Sequence, residues 1–187
     1  NMAFNPAALS VRIVERQDTN ELDRIDTFVS GSPHGTAFHR PAWILSVSRA
    51  CGHVWRYLVA EDGAGELQGI LPLHLIHSFL FGRALVSSGF AVGGGILARN
   101  QEAVQLLADG QWQVREGVYA GFVKPLAEDE ESELLAIPRK QRAEVRKGIA
   151  NDLTVRIGTG PQDRAEHYAV YAESVRNLGT PVFPREL

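Results

Sequence analysis

Polar and apolar residues alternate along Ser10-Val11-Arg12-Ile13-Val14, the period of two that marks a half-buried strand. The period then lengthens. After Asp18, residues Leu22, Ile25 and Val29 recur at helical spacing with acidic residues in the early turns, which predicts a helix over residues 20–29. The breakers of Ser30-Gly31-Ser32-Pro33-His34-Gly35 predict a loop, and Pro41, suited to a first helical position, opens a helix reaching about Ala50. Residues 55–60 and 67–76 read as strands joined by the turn Glu61-Asp62-Gly63-Ala64-Gly65-Glu66, so the pair makes a hairpin. Pro72, inside the second of these strands, argues for an edge position, a bulge or a splayed end. A turn at residues 79–83 and a short strand at 84–88 extend the hairpin into an antiparallel meander over residues 56–88.

Gly93-Gly94-Gly95 and Ile96-Leu97-Ala98 follow, then a helical stretch at 102–108 that stops at Asp109-Gly110. Val118-Tyr119-Ala120-Gly121-Phe122-Val123 reads as a strand. The acidic run Glu128-Asp129-Glu130-Glu131 separates it from a basic helix starting near Pro138. The boundary between a first domain (1–126) and a second (127–187) is placed there. Residues 151–157 return to a strand pattern and 163–178 to a helix. Strands with short turns, mixed with helices at both ends, indicate an α/β protein of the mixed (α+β) kind rather than a doubly wound parallel sheet.

Composition narrows the chemistry. A net charge of −3 gives no global basic field to draw the chain to nucleic acid or anionic lipid, so no DNA partner is expected. No apolar run approaches the roughly 20 residues of a membrane span, and the N-terminus lacks the pattern of a signal peptide, which makes the cytoplasm the expected location. The single cysteine, Cys51, excludes an internal disulfide and reads as a half-buried thiol at a helix end rather than a nucleophile. Phosphate-loop, dinucleotide and nucleophile-elbow motifs are absent. The six histidines show no metal-binding spacing, and His74 and His77, three apart in a strand, fall on opposite faces; no metal site is expected.

Two segments remain as candidates. Gly93, Gly94 and Gly95 could expose backbone N–H groups to an anion, or could simply supply the positive φ of a turn, which composition alone favours. In Pro138-Arg139-Lys140-Gln141-Arg142-Ala143-Glu144-Val145-Arg146-Lys147, three arginines (139, 142 and 146) fall within a sector of about 60° at helical spacing. Arginine forks suit phosphate and carboxylate; the plainer alternative is a solvated face paired with the acidic run upstream.

Lys140-x-Arg142-x-x-Val145-Arg146-Lys147, followed by Leu153-Thr154-Val155, resembles the Lys-x-Arg-x-x-Ile-Arg-Lys helix and following strand of FemAB-like proteins. Other pieces agree in order: Phe38-His39-Arg40-Pro41-Ala42-Trp43, Leu67-Gln68-Gly69-Ile70-Leu71-Pro72-Leu73, Phe81-Gly82-Arg83-Ala84-Leu85-Val86-Ser87, residues 90–95, and Arg176-Asn177-Leu178-Gly179-Thr180-Pro181. The resemblance covers most of the chain and is closest to the FemAB-related group associated with bacterial PEP-CTERM and exosortase systems, found beside exopolysaccharide genes. It implies a GNAT fold, with a mixed, largely antiparallel sheet flanked by helices, and the start of a second GNAT-like domain. Classical FemAB proteins move an amino acid from aminoacyl-tRNA onto a peptidoglycan-precursor peptide. Such direct attack of an amine on an activated acyl carbon needs positioning and oxyanion stabilisation more than a nucleophilic residue, and no catalytic residue is assigned.

The resemblance thus implies an acyl or aminoacyl transferase of envelope or exopolysaccharide assembly. An aminoacyl-tRNA or acyl-CoA would be the donor and a small-molecule, lipid-linked or peptide-linked precursor the acceptor. Lys140, Arg142 and Arg146 become candidates for holding an anionic substrate, with Gly93, Gly94 and Gly95 at the mouth of a cleft. The alternative is a noncatalytic GNAT-like module binding a carrier or partner protein. A tRNA-binding role without chemistry needs a wider basic surface than this charge balance provides. Two departures matter. The Gln/Arg-x-x-Gly-x-Gly/Ala loop for acetyl-CoA is absent, with Val145 where a basic residue is required before Gly148. The sequence also ends where the family continues through most of a second domain, and a family-typical strand is missing between Gly110 and Gln111, as in a shortened chain.

Overall fold

Five strands form one antiparallel sheet in a computed structural model of the protein, which describes residues 8–80, 82–109 and 124–187. They are β1 (Ser10–Val14), β2 (Val54–Glu61), β3 (Leu67–Ser78), β4 (Gly82–Ser87) and β5 (Leu97–Ala98). The first four lie in the order β1-β2-β3-β4, and β5 pairs with β3. The β2–β3 turn is built by Asp62, whose carboxylate accepts N–H bonds from Ala64 and Glu66, while Gly65 takes the left-handed conformation (φ 82°). The meander expected over residues 56–88 is therefore present.

Pro72 lies not at an edge but in the central strand, fully buried. One side of β3 changes partner at that point: Gly69 and Ile70 face β5, and Leu73 onward faces β4. The break between the two partners is where the sheet tolerates a residue without an N–H. None of the three settings expected for Pro72 is found: it pairs in register with Tyr57 in mid-strand, and the register shift in β2–β3 falls at Ala60 and Glu61 instead.

Helices cover both faces of this sheet. In α1 (Thr19–Ser30) the Asp18 carboxylate accepts the Asn20 N–H at 2.9 Å, and Leu22, Ile25, Phe28 and Val29 point inward. Helix α2 (Pro41–Cys51) starts on Pro41 and ends at left-handed Gly52, burying Ile44 and Val47. Ile44, with Ile25, Phe28 and Val29 of α1, packs on Tyr57, Val59 and Ile70. On the opposite face α3 (Gln101–Ala108) lays Ala103 and Leu107 against Ala60, Leu71 and Leu73. A β-carbon on Gly69 would sit 2.9 Å from Leu107 Cδ1 and 3.1 Å from Ala98 Cβ, so the missing side chain is what lets α3 approach. Glu61 and Glu21 hold Arg12 and Arg24 in a four-residue ion network joining β1, α1 and β2.

The described residues divide into two units, residues 8–109 with Phe183–Leu187, and residues 124–182. The second holds α4 (Glu130–Ala136), α5 (Arg139–Ala150) and α6 (Pro161–Asn177), none of which buries a residue. The acidic run, read as a separator, instead starts a helix: the Asp129 carboxylate accepts the Ser132 N–H at 2.8 Å, and the glutamates fill the first turn, where the helix dipole favours them. The strand expected at 151–157 is not formed. Leu153, Val155 and Ile157 alternate but are 71%, 89% and 95% exposed, and alternation without a neighbouring ladder does not make a strand. The strand expected at 118–123 lies outside the described residues. Among those described, no helix is long and apolar enough to cross a membrane.

Candidate functional site

Each of the two units holds one cluster of candidate residues. In the sheet unit the chain leaves β4 through two non-glycine residues in the left-handed region, Ser88 (φ 46°) and Phe90 (φ 60°), then passes Gly93 (φ 133°) and Gly95 (φ 109°). Such conformations cost on the order of 1 kcal/mol or more per non-glycine residue and persist only when surroundings impose them. Here they do. Ser88 Oγ donates to Phe38 O (2.9 Å), the Trp43 indole N–H donates to Gly89 O (3.2 Å), and Gly89 N–H donates to His74 Nδ1 (3.0 Å). Phe38 meets Trp43 edge-on with ring centroids 4.9 Å apart.

The bond from Gly89 leaves Nδ1 of His74 unprotonated, so its hydrogen sits on Nε2 and is donated to Ile44 O at 3.0 Å. His74 is wholly buried, and burial pushes its pKa down; the Ile44 carbonyl opposes this and His53 adds to it. His39 is also buried and lowered for the same first reason. Its Nδ1 accepts the Thr36 N–H at 3.2 Å and lies 2.8 Å from Thr36 Oγ1, while its carbonyl receives the Tyr57 hydroxyl at 2.9 Å. His77 is exposed, so the two strand histidines do point to opposite faces.

Each glycine of the triple has a structural reason to be there. Gly93 and Gly95 take positive φ, and a β-carbon on Gly94 would meet Ser88 Cβ at 2.6 Å. Gly95 N–H is given to Ser87 Oγ (2.8 Å), and Gly93 O receives Thr36 Oγ1 (3.3 Å). The segment is a stitched turn, with Gly93 and Gly94 exposed on it.

The basic helix divides its residues between separate tasks. Arg142 does not point its fork at open solvent: Nε and Nη2 donate to Ile137 O (3.1 and 2.9 Å) and Nη2 to Leu135 O (3.0 Å). It thereby satisfies carbonyls at the C-terminal end of α4, a position that favours a cation. One turn on, Arg146 lines an open groove of about 320 Å³ with Glu130, Glu131, Leu134 and Leu135. Neither Arg146 nor the exposed Lys140 has a hydrogen-bond or ion-pair partner among the described residues, whereas Lys147 pairs with Glu144 at 2.9 Å. The groove thus combines one free guanidinium with two carboxylates and an apolar floor.

His74, Ser88, Thr36 and Trp43 were not singled out by spacing. The one signal available was a histidine inside an otherwise apolar strand, which asks for a buried partner. Cys51 closes α2 half-buried, and burial raises its thiol pKa, so the thiolate is disfavoured. Among the described residues no three histidine, cysteine or acidic side chains come together as a metal site would need. Comparison with family models, curated proteins and solved structures finds no match.

Proposed function

We propose that the protein is a FemAB-like transferase that moves an activated acyl or aminoacyl group onto an amine in envelope or exopolysaccharide assembly. One observation carries the reading. Phe38 and Trp43, in one piece that resembles the family pattern, bond to Ser88 and Gly89, which lie between the resembling pieces 81–87 and 90–95, and Gly89 bonds to His74, next to the resembling strand 67–73, all around a single strained turn. Strain held in place by a surrounding network is a hallmark of positioning sites rather than of plain connections.

In the proposed reaction the acceptor amine attacks the acyl carbon. A C–N bond forms, the C–O bond to a tRNA or the C–S bond to coenzyme A breaks, and the amine proton leaves with the released hydroxyl or thiol. Binding and orientation supply most of the acceleration. Arg146, whose guanidinium is free in its groove, is the residue for an anionic group of substrate, with Lys140 alongside on α5. Arg142 would hold the helix pair that carries them.

The test is transfer of labelled acyl groups from aminoacyl-tRNA or acyl-CoA to amine-bearing envelope precursors. Transfer that falls at least about tenfold in Arg146→Gln supports the reading. No transfer, together with a carrier or partner protein retained by the purified chain, would replace it with the noncatalytic module, a reading favoured by the internal use of Arg142 and Gly95.

A further inference from the structure

The β3–β4 hairpin outruns its sheet. Strand β2 ends opposite Leu75, yet β3 and β4 continue as a two-stranded ribbon through Ile76–Ala84, His77–Arg83 and Ser78–Gly82. At about 3.4 Å per residue the ribbon extends about 10 Å past the last β2 pair. At its tip Phe79 is 100% exposed and Leu80 80% exposed, and Leu85 on the shaft is also exposed. Adjacent large apolar side chains fully in water, at the end of an arm, are not an ordinary scattering of surface hydrophobics.

The charge pattern selects an occupant. Between Leu67 and Asn100 there is no Asp or Glu, although the chain holds 22 acidic residues and is net −3. The charged side chains of that stretch are Arg83, on the ribbon beside His77, and Arg99. An arm with an apolar tip, one arginine beside it and no carboxylate matches the boundary of an anionic bilayer, where apolar side chains enter the acyl region and cations meet the headgroups.

We propose that the hairpin tip, Phe79 and Leu80, inserts into the interface of an anionic lipid membrane, with Arg83 at headgroup level. The proposal stands on the hairpin alone and does not depend on group transfer. It describes peripheral attachment, which a single shallow apolar tip makes reversible.

The experiment is flotation of the protein with phosphatidylcholine vesicles and with vesicles of phosphatidylcholine and phosphatidylglycerol in equal parts. Expected is binding to the phosphatidylglycerol vesicles, weakened by salt. The Phe79→Ser/Leu80→Ser double variant should lower the partition at least about tenfold, and Arg83→Gln should lower the preference for anionic vesicles about fivefold. The tip residues have no packing to lose, so unchanged circular dichroism is expected in each variant. Absence of wild-type binding to anionic vesicles, or equal binding by the double variant, overturns the proposal. So does self-association in sedimentation velocity that the double variant abolishes while vesicle binding stays at background, since the tip would then contact a second copy.

Discussion

His74 ties β3 to helix α2 and to the strained turn through two hydrogen bonds, and the one its Nδ1 accepts from Gly89 requires the neutral ring. With His39 buried as well, folding excludes protons that the unfolded chain binds once the pH falls below about 6.5. The sign follows: both folded-state pKa values are lowered, so stability is full above that pH and declines as pH falls toward the folded-state values. Urea midpoints should therefore drop between about pH 7.5 and about pH 5.5, and His74→Gln should show a shallower drop from a lower starting point. A wild-type midpoint that does not move would contradict the assignment. Arg142 and Arg146 separate in the same spirit. Arg142→Gln should cost about 1 kcal/mol in the α4–α5 pair, because carbonyls lose a charged donor at a partly exposed position. Arg146→Gln should leave thermal melting unchanged and alter only ligand affinity.

Elements were legible where their cause is local. The 3.6-residue spacing of Leu22, Ile25 and Val29, the Asp18 cap, Pro41 and the Asp62 turn each act within a few residues, and β1 to β4 and α1 to α3 follow them. Helix α4 escaped notice because Asp129 was read as charge rather than as a cap. Residues 151–157 misled for the opposite reason, since a strand needs a neighbour that its own sequence does not contain. The site was less legible than the fold: Ser88 bonds to Phe38 across 50 positions and Trp43 to Gly89 across 46, beyond any spacing rule. Close packing of elements gives a further test at Gly69. Gly69→Ala should destabilise by about 1–3 kcal/mol, since Leu107 can shift its end but Ala98 and Ala103, at 3.1 and 3.3 Å, cannot. A melting temperature equal to wild type would show that α3 sits more loosely than described.

For the molecule as a whole, the buried apolar side chains among the described residues all lie between Val14 and Leu107, on the two faces of the sheet. The three helices of the other unit rest on local hydrogen bonds, caps and ion pairs such as those of Arg156 with Asp163 and Glu166. Opening energies follow buried apolar contact. Amides of β2, β3 and α1 should exchange slowly, and those of α5 and α6 at least about a hundredfold faster. Hydrogen exchange read by mass spectrometry decides this, and uniform protection along the chain would show that α5 and α6 share the stability of the sheet.

The indole of Trp43 donates its N–H to Gly89, the residue between the two left-handed positions of the strained turn. That bond makes the ring an optical gauge of the turn. With Trp55 and Trp112 replaced by phenylalanine, emission from Trp43 alone would report whether the turn is docked on α2. A ligand that lifts or tightens residues 87–95 would then shift the spectrum without any label being attached.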